Sequence, residues 1–115
     1  MKIFNLFALF FSLGVSTSFA FEISGHKLLD QLNDYYIRHG ITSEELLNAG
    51  RGYGYVSGVY DSLREKYNIP KEVKPSQIIT TVYKFLNDNP DLLYKRASSL
   101  VHQAIIEAFP WDKEK

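Results

Sequence analysis

Apolar residues recur at three- and four-residue spacing in four stretches of the chain, with polar residues between them. This is the period of amphipathic helices rather than of strands. Leu28, Leu29, Leu32, Tyr35 and Tyr36 mark the first stretch, Ser24 to Arg38, where Ser24 is placed to cap the helix and His39-Gly40 to end it. The second opens at Thr42 or Ser43, with Glu44 and Glu45 complementing the positive end of the helix dipole. Tyr53, Val56, Tyr60 and Leu63 carry it to about Lys66. Pro75 opens the third, since the first amide of a helix has no helical partner to lose, and Ile78, Ile79, Val82, Phe85 and Leu86 form its stripe. The β-branched run from Ile78 to Val82 favours a strand locally, but one stripe continuing to Leu86 outweighs it.

The connections follow from the same pattern. Tyr67 to Lys74 contains Pro70 and scattered charge and reads as a loop with Ile69 and Val73 turned inward. Asn87-Asp88-Asn89-Pro90-Asp91 is a stop and a restart, with Asn89 as cap, Pro90 in the first turn and Asp91 to Tyr94 forming a single turn. The fourth helix runs from Ala97 to Phe109, burying Leu100, Val101, Ala104, Ile105 and Ala108 before Pro110 ends it and Trp111 packs back. The expected fold is therefore all-α, a small bundle of four main helices.

One stretch breaks the ordinary pattern. Gly50, Gly54, Gly58 and Ser62 recur every fourth residue in the second helix and so share one face, making a ridge without side chains. Each interior glycine costs about 1 kcal/mol of helix stability relative to alanine, so three of them need a compensating contact. The expectation is a helix laid against the ridge almost backbone to backbone. That helix belongs to the same chain or to a second copy, and the same chain is the expected donor. A glycine-rich turn from Gly50 to Gly54 is the competing reading. It is disfavoured because no proline interrupts the run and Ser43-Glu44-Glu45 supplies a helix start.

The first residues change the compartment. Lys2 precedes a largely apolar run, Ile3 to Val15, and Ser18-Phe19-Ala20 offers the small residues a signal peptidase reads. The apolar run is well short of the roughly 20 residues needed to span a bilayer. Residues 1–20 are thus expected to be a cleaved signal peptide and 21–115 the exported domain, periplasmic and with no membrane attachment after cleavage. Losing Lys2 leaves 12 basic residues against 13 acidic ones, a balance that argues against nucleic acid as a partner. The chain contains no cysteine, so an exported domain of this size is held by helix packing without disulfides, thiolate nucleophile or thiolate metal site. Five of the eight phenylalanines fall in the signal, which makes tyrosine the main aromatic of the domain.

No constellation for chemistry is visible. His26, His39 and His102 lie in different segments without a ligand at metal-pair spacing, and Glu44 and Glu45 point about 100° apart on a helix. Gly50-Arg51-Gly52-Tyr53-Gly54 lacks both the preceding strand and the Gly-Lys-Ser/Thr ending of a phosphate loop. Ser98 and Ser99 have no nucleophile elbow around them. The expectation is no catalytic residue, no bound metal and no cofactor.

From Gly54 onward the order of short pieces is distinctive. Gly54-Tyr55-Val56-Ser57-Gly58-Val59-Tyr60-Asp61-Ser62-Leu63 is followed by Ile69-Pro70 with Val73, then Gln77-Ile78, Lys84-Phe85-Leu86 and Asn89-Pro90. Ala97-Ser98-Ser99-Leu100-Val101, Ala104-Ile105 and Ala108-Phe109-Pro110 close the set. In order and spacing this resembles the Rap/Tai family of immunity proteins, which protect bacteria from type VI secretion amidase effectors. That family commonly has cysteines near the positions held here by Gly52, Asn68 and Trp111, and this chain has none.

The resemblance implies a small periplasmic helical protein, often a homodimer, that binds a secreted peptidoglycan amidase and blocks its cleft without catalysing anything. Exposed connections carry recognition more often than core faces do. The expected contact residues are therefore Lys71, Glu72 and Lys74 in the Tyr67–Lys74 loop, and Asp88, Asp91, Lys95 and Arg96 in the corner between the third and fourth helices. A reading from another class is a helical periplasmic stress-response module, similar to small acid-stress chaperones, that exposes apolar surface when protonated and has no dedicated effector.

Overall fold

Four helices form where the pattern places them, in a computed structural model that describes residues 22–39, 41–67 and 69–110. They are α1 (Gly25–Tyr36), α2 (Ser43–Leu63), α3 (Pro75–Asp88) and α4 (Ala97–Ala108), with a 3-10 turn at Pro90–Leu92 before α4. The proposed signal peptide, the mature start at Phe21, the helix-ending Gly40 and the packing of Trp111 lie outside the described residues.

α1 and α2 each start at a side chain that accepts from one of their free amides. The Ser24 hydroxyl accepts the Lys27 N–H at 3.2 Å. Thr42 and Glu45 make a reciprocal capping box: the Thr42 hydroxyl accepts the Glu45 amide at 3.1 Å, and the Glu45 carboxylate accepts from the Ile41 and Thr42 amides at 3.2 and 3.5 Å. Glu45 thus does more than complement the dipole. At the end of α3 the Asn89 side chain donates back to the Phe85 carbonyl at 2.9 Å, so it closes the helix behind it rather than capping the turn ahead. α1 ends at Tyr36, two residues before Arg38, and the reversal falls on His39, whose φ of 61° is left-handed.

The apolar stripes meet in one core. Leu28 and Leu32 of α1, Val56 of α2, Ile78, Ile79, Val82 and Leu86 of α3, and Leu100, Val101 and Ile105 of α4 are all essentially sealed from solvent. Ile69 and Val73 pack against this cluster from the loop, as their spacing predicts. Ala108 was expected in the core and is exposed, at an open groove between α3 and α4 that Thr81, Phe85 and Ala104 also line. The β-branched run of α3 is helical, with the Thr80 and Thr81 hydroxyls donating to carbonyls one turn back.

Gly52, not the predicted ridge, is where two backbones approach. A Cβ at Gly52 would lie 3.0 Å from Gln31 Cβ and 3.1 Å from Leu32 Cδ2, so the missing side chain lets α1 and α2 close on each other. Among the described residues a Cβ at Gly50, Gly54 or Gly58 would meet nothing within 4 Å. The helix runs through the glycines as expected, but no described element of the chain rests on the ridge. Its face is opposite to the one that holds Ala49, Gly52 and Val56 in the core.

Candidate functional site

The charged residues expected to meet a partner are all on the surface. Lys71, Glu72, Lys74, Asp88, Asp91, Lys95 and Arg96 are each exposed, and the structure divides them into two groups. Lys74 stands immediately before α3 and Asp88 is its last residue, so the groups sit at opposite ends of a helix about 20 Å long. They do not make one patch.

The first group sits on a braced loop. The Val73 amide donates to the Pro70 carbonyl at 3.0 Å, and the Lys74 amide donates to Gln77 Oε1 at 2.7 Å. Behind the loop, Tyr67 is hydrogen-bonded through its hydroxyl to His102 Nε2 of α4. His102 therefore has a structural partner. Beside the loop a polar cleft is lined by Tyr60, Arg64, Glu65, Ile69, Pro70 and Lys71 among others.

The second group is tied to the start of the domain, a connection with no sequence signature. The Gly25 amide donates to the Lys95 carbonyl at 2.9 Å, the His26 amide to Leu93 at 3.0 Å, and the Ala97 amide to Ile23 at 2.8 Å. The Arg96 guanidinium pairs with Glu22 at 3.3 Å across the same seam. A Cβ at Gly25 would come within 3.0 Å of the Leu93 backbone, so this close crossing needs glycine. Arg96 thus helps hold the first described residues in place, while Lys95 and Asp91 extend into solvent.

Two features were not singled out from the pattern. The first is a tyrosine cluster joining three helices: Tyr36 stacks on Tyr83 of α3 with centroids 4.4 Å apart, and Tyr35 meets Tyr36 edge-on at 4.8 Å and Tyr53 of α2 at 5.9 Å. The Tyr36 hydroxyl bonds to Thr80 at 2.9 Å and the Tyr83 hydroxyl donates to Asn33 at 2.7 Å. Burial pushes the Tyr36 hydroxyl above the ordinary tyrosine range. The second is apolar exposure at the hairpin of α1 and α2, where Ile37, Ile41, Leu46 and Leu47 are 63, 83, 65 and 56% exposed. A helical wheel carries the signal for Leu47, which stands nine residues, or half a rotation, from buried Val56.

Beneath the same hairpin, Asp34 is buried, and its hydrogen bond from Arg38 holds the carboxyl below the usual carboxylate range. Arg38 also reaches Asp30 at 3.6 Å. Among the described residues no three His, Asp or Glu side chains stand together as metal ligands, and no helix is long and apolar enough to cross a membrane.

Compared with known proteins, the chain matches none of the curated ones. The model of the Rap1a immunity protein family does match, over residues 24–110. Those limits run from the N-cap of α1 to the proline after α4, so the match takes in α1 and the whole of α2 besides the pieces from Gly54 onward, and all four helices of the bundle. The chain belongs to the Rap1a immunity protein family.

Proposed function

We propose that this protein neutralises a type VI secretion effector, a peptidoglycan amidase, by occupying its substrate cleft in the periplasm. The family match over residues 24–110 carries the reading. Residues 1–20 act as the export signal and 21–115 as the immunity domain, which catalyses nothing and needs no cofactor. Inhibition is steric, with charged side chains at a helix end anchoring the contact, and two copies of the chain act together.

The two charged groups lie too far apart to enter one cleft, so one of them makes the contact. We favour the Lys71–Lys74 loop, because its charged side chains project from a braced turn and make no ion pair among the described residues. The corner at Lys95 and Arg96 also secures the start of the domain.

The test is titration of the exported protein against any small amidase that a neighbouring gene encodes. Reversing Lys71 and Lys74 together to glutamate should weaken binding at least tenfold, with unfolding unchanged. Lys95→Glu should have little effect. If Lys95→Glu alone abolishes binding, the corner is the contact. If no neighbouring amidase binds and the protein instead suppresses aggregation of many proteins at low pH, the chaperone reading replaces this one.

A further inference from the structure

The cleft beside the Tyr67–Lys74 loop lies where the charge of the chain departs from its average. Residues 21–115 carry 13 acidic and 12 basic side chains, whereas Arg64, Lys66, Lys71 and Lys74 outnumber Glu65 and Glu72 by two within eleven residues. Two of those cations, Arg64 from the end of α2 and Lys71 from the loop, line one cleft of about 340 Å³. Ligand pockets begin at about 300 Å³, so this one has room for a side chain or two and not for a folded segment.

Neither cation is committed within the chain. Among the described residues Arg64 pairs only with Asp61, at 3.9 Å between two exposed side chains, and Lys71 pairs with nothing. Exposed contacts of that length are worth little. The walls, by contrast, are fixed. Tyr60, Ile69 and Val73 are half-buried and pack against the core, and the bond from the Val73 amide to the Pro70 carbonyl holds the turn on which Lys71 stands. A site formed before binding loses less entropy when it is filled.

We infer that this cleft receives the carboxylate of an aspartate or glutamate of the effector, held between Arg64 and Lys71. The inference rests on the proposed contact at the Lys71–Lys74 loop and names the chemistry which that contact recognises. Insertion is then reciprocal: the loop enters the effector, and one acidic side chain of the effector enters the cleft behind the loop. The planar fork of an arginine matches the two oxygens of a carboxylate, and the apolar walls at Ile69 and Val73 strengthen the pairing by excluding water.

Glu65 sets the charge the cleft accepts. It lines the same space as the two cations and leaves the lining with one net positive charge. That balance suits a singly charged carboxylate better than a doubly charged phosphate, whose second charge meets Glu65 without a cation of its own.

The experiment is an NMR titration of the protein purified after export, with no effector present, using acetyl-Gly-Glu-Gly-amide as probe and acetyl-Gly-Gln-Gly-amide as its uncharged twin. One anchored side chain supplies only part of the energy of an interface, so the glutamate peptide should bind in the millimolar range. It should shift the amides of Arg64, Glu65, Lys71 and Val73, and the glutamine peptide should not. Arg64→Gln should weaken binding at least about tenfold, and Lys71→Gln about threefold. Glu65→Gln should tighten it about twofold, a gain that a merely structural glutamate would not give. Inorganic phosphate at the concentration of the peptide should not displace it. All three substituted side chains are exposed, so urea unfolding should show wild-type stability. The same variants are then titrated against the neighbouring amidase, where Arg64→Gln should weaken binding and Glu65→Gln should strengthen it.

A glutamate peptide that binds no better than its twin, or binds Arg64→Gln as well as wild type, would overturn the cleft whatever an amidase does. Displacement by phosphate would overturn the carboxylate assignment. An amidase that binds wild type and Arg64→Gln alike would overturn the cleft as its contact and leave the effector reading in place. A glutamate peptide held through Arg64 when no amidase binds would do the reverse, supporting the cleft and removing the effector reading.

Discussion

α2 and α3 are both amphipathic helices against the same core, yet they use their sequence differently. In α3 all five stripe residues, Ile78, Ile79, Val82, Phe85 and Leu86, are buried, and the outer face is polar. In α2, with half again as many residues, only Ala49, Gly52 and Val56 are buried, with three tyrosines, Val59 and Leu63 packed at the margins. Its outer face carries two exposed leucines and three glycines. The apolar residues of α3 are all accounted for by folding. Those of α2 are not, and the excess on its outer face is left in solvent.

The largest expected effect tests that division directly. Leu86→Ala removes a fully buried side chain and should cost about 2–5 kcal/mol, read as a drop in the urea midpoint at unchanged slope. Leu47→Ala should stay within about 0.5 kcal/mol of wild type. Equal losses would mean that Leu47 is core and that the two helices do not differ.

The glycines sharpen the contrast, because they predict opposite signs along one helix. Gly52→Val forces a branched side chain into the α1 contact and should destabilise by about 1–3 kcal/mol. Gly54→Ala has open space around it and helical backbone, and should stabilise the monomer by up to about 1 kcal/mol. Thermal unfolding of both variants at one low concentration checks the pair. Destabilisation by Gly54→Ala would mean that the ridge is covered within the chain.

These cases also mark what could be read from residues alone. Helix starts, the α3 stripe and the buried residues of α4 up to Ile105 were legible because each depends on neighbours within one or two turns. The Gly50–Gly58 ridge was legible as a helix face but not as a free one. A missing Cβ fits a close approach and an open surface equally, and only the partner's position decides between them. The seam of Gly25 and His26 with Leu93 and Lys95 left no trace, since it is made by backbone groups that every residue type carries. The charged candidates were legible as exposed. That they lie at opposite ends of α3 follows from helix length, which spacing in the chain already contained.

A middle-sized effect bears on the start of α2, where the two helices again differ. Thr42 and Glu45 close their amides on each other, so Thr42→Ala should cost about 1 kcal/mol. It should also accelerate amide exchange in the first turn of α2 relative to that of α3, whose proline has no amide to protect. Exchange faster by the same factor in both turns would show global rather than local loss.

The smallest effect concerns pH and the hairpin that joins α1 to α2. Arg38 holds the Asp34 carboxyl below its ordinary value near 3.8, so the folded state binds this proton less readily than the unfolded chain. The stabilisation is complete above that ordinary value and is lost as pH falls through the depressed one. Asp34→Asn removes the titration. The variant should be less stable than wild type at neutral pH, and the two urea midpoints should converge as pH drops below about 4. Arg38→Met should raise the Asp34 carboxyl, seen by NMR titration, because it removes the hydrogen bond that lowers it. A difference between wild type and Asp34→Asn that stays constant from pH 7 to pH 3 would show that this pair contributes by packing rather than by charge, and the α1–α2 hairpin would then be as indifferent to acid as the apolar contacts of α3 and α4.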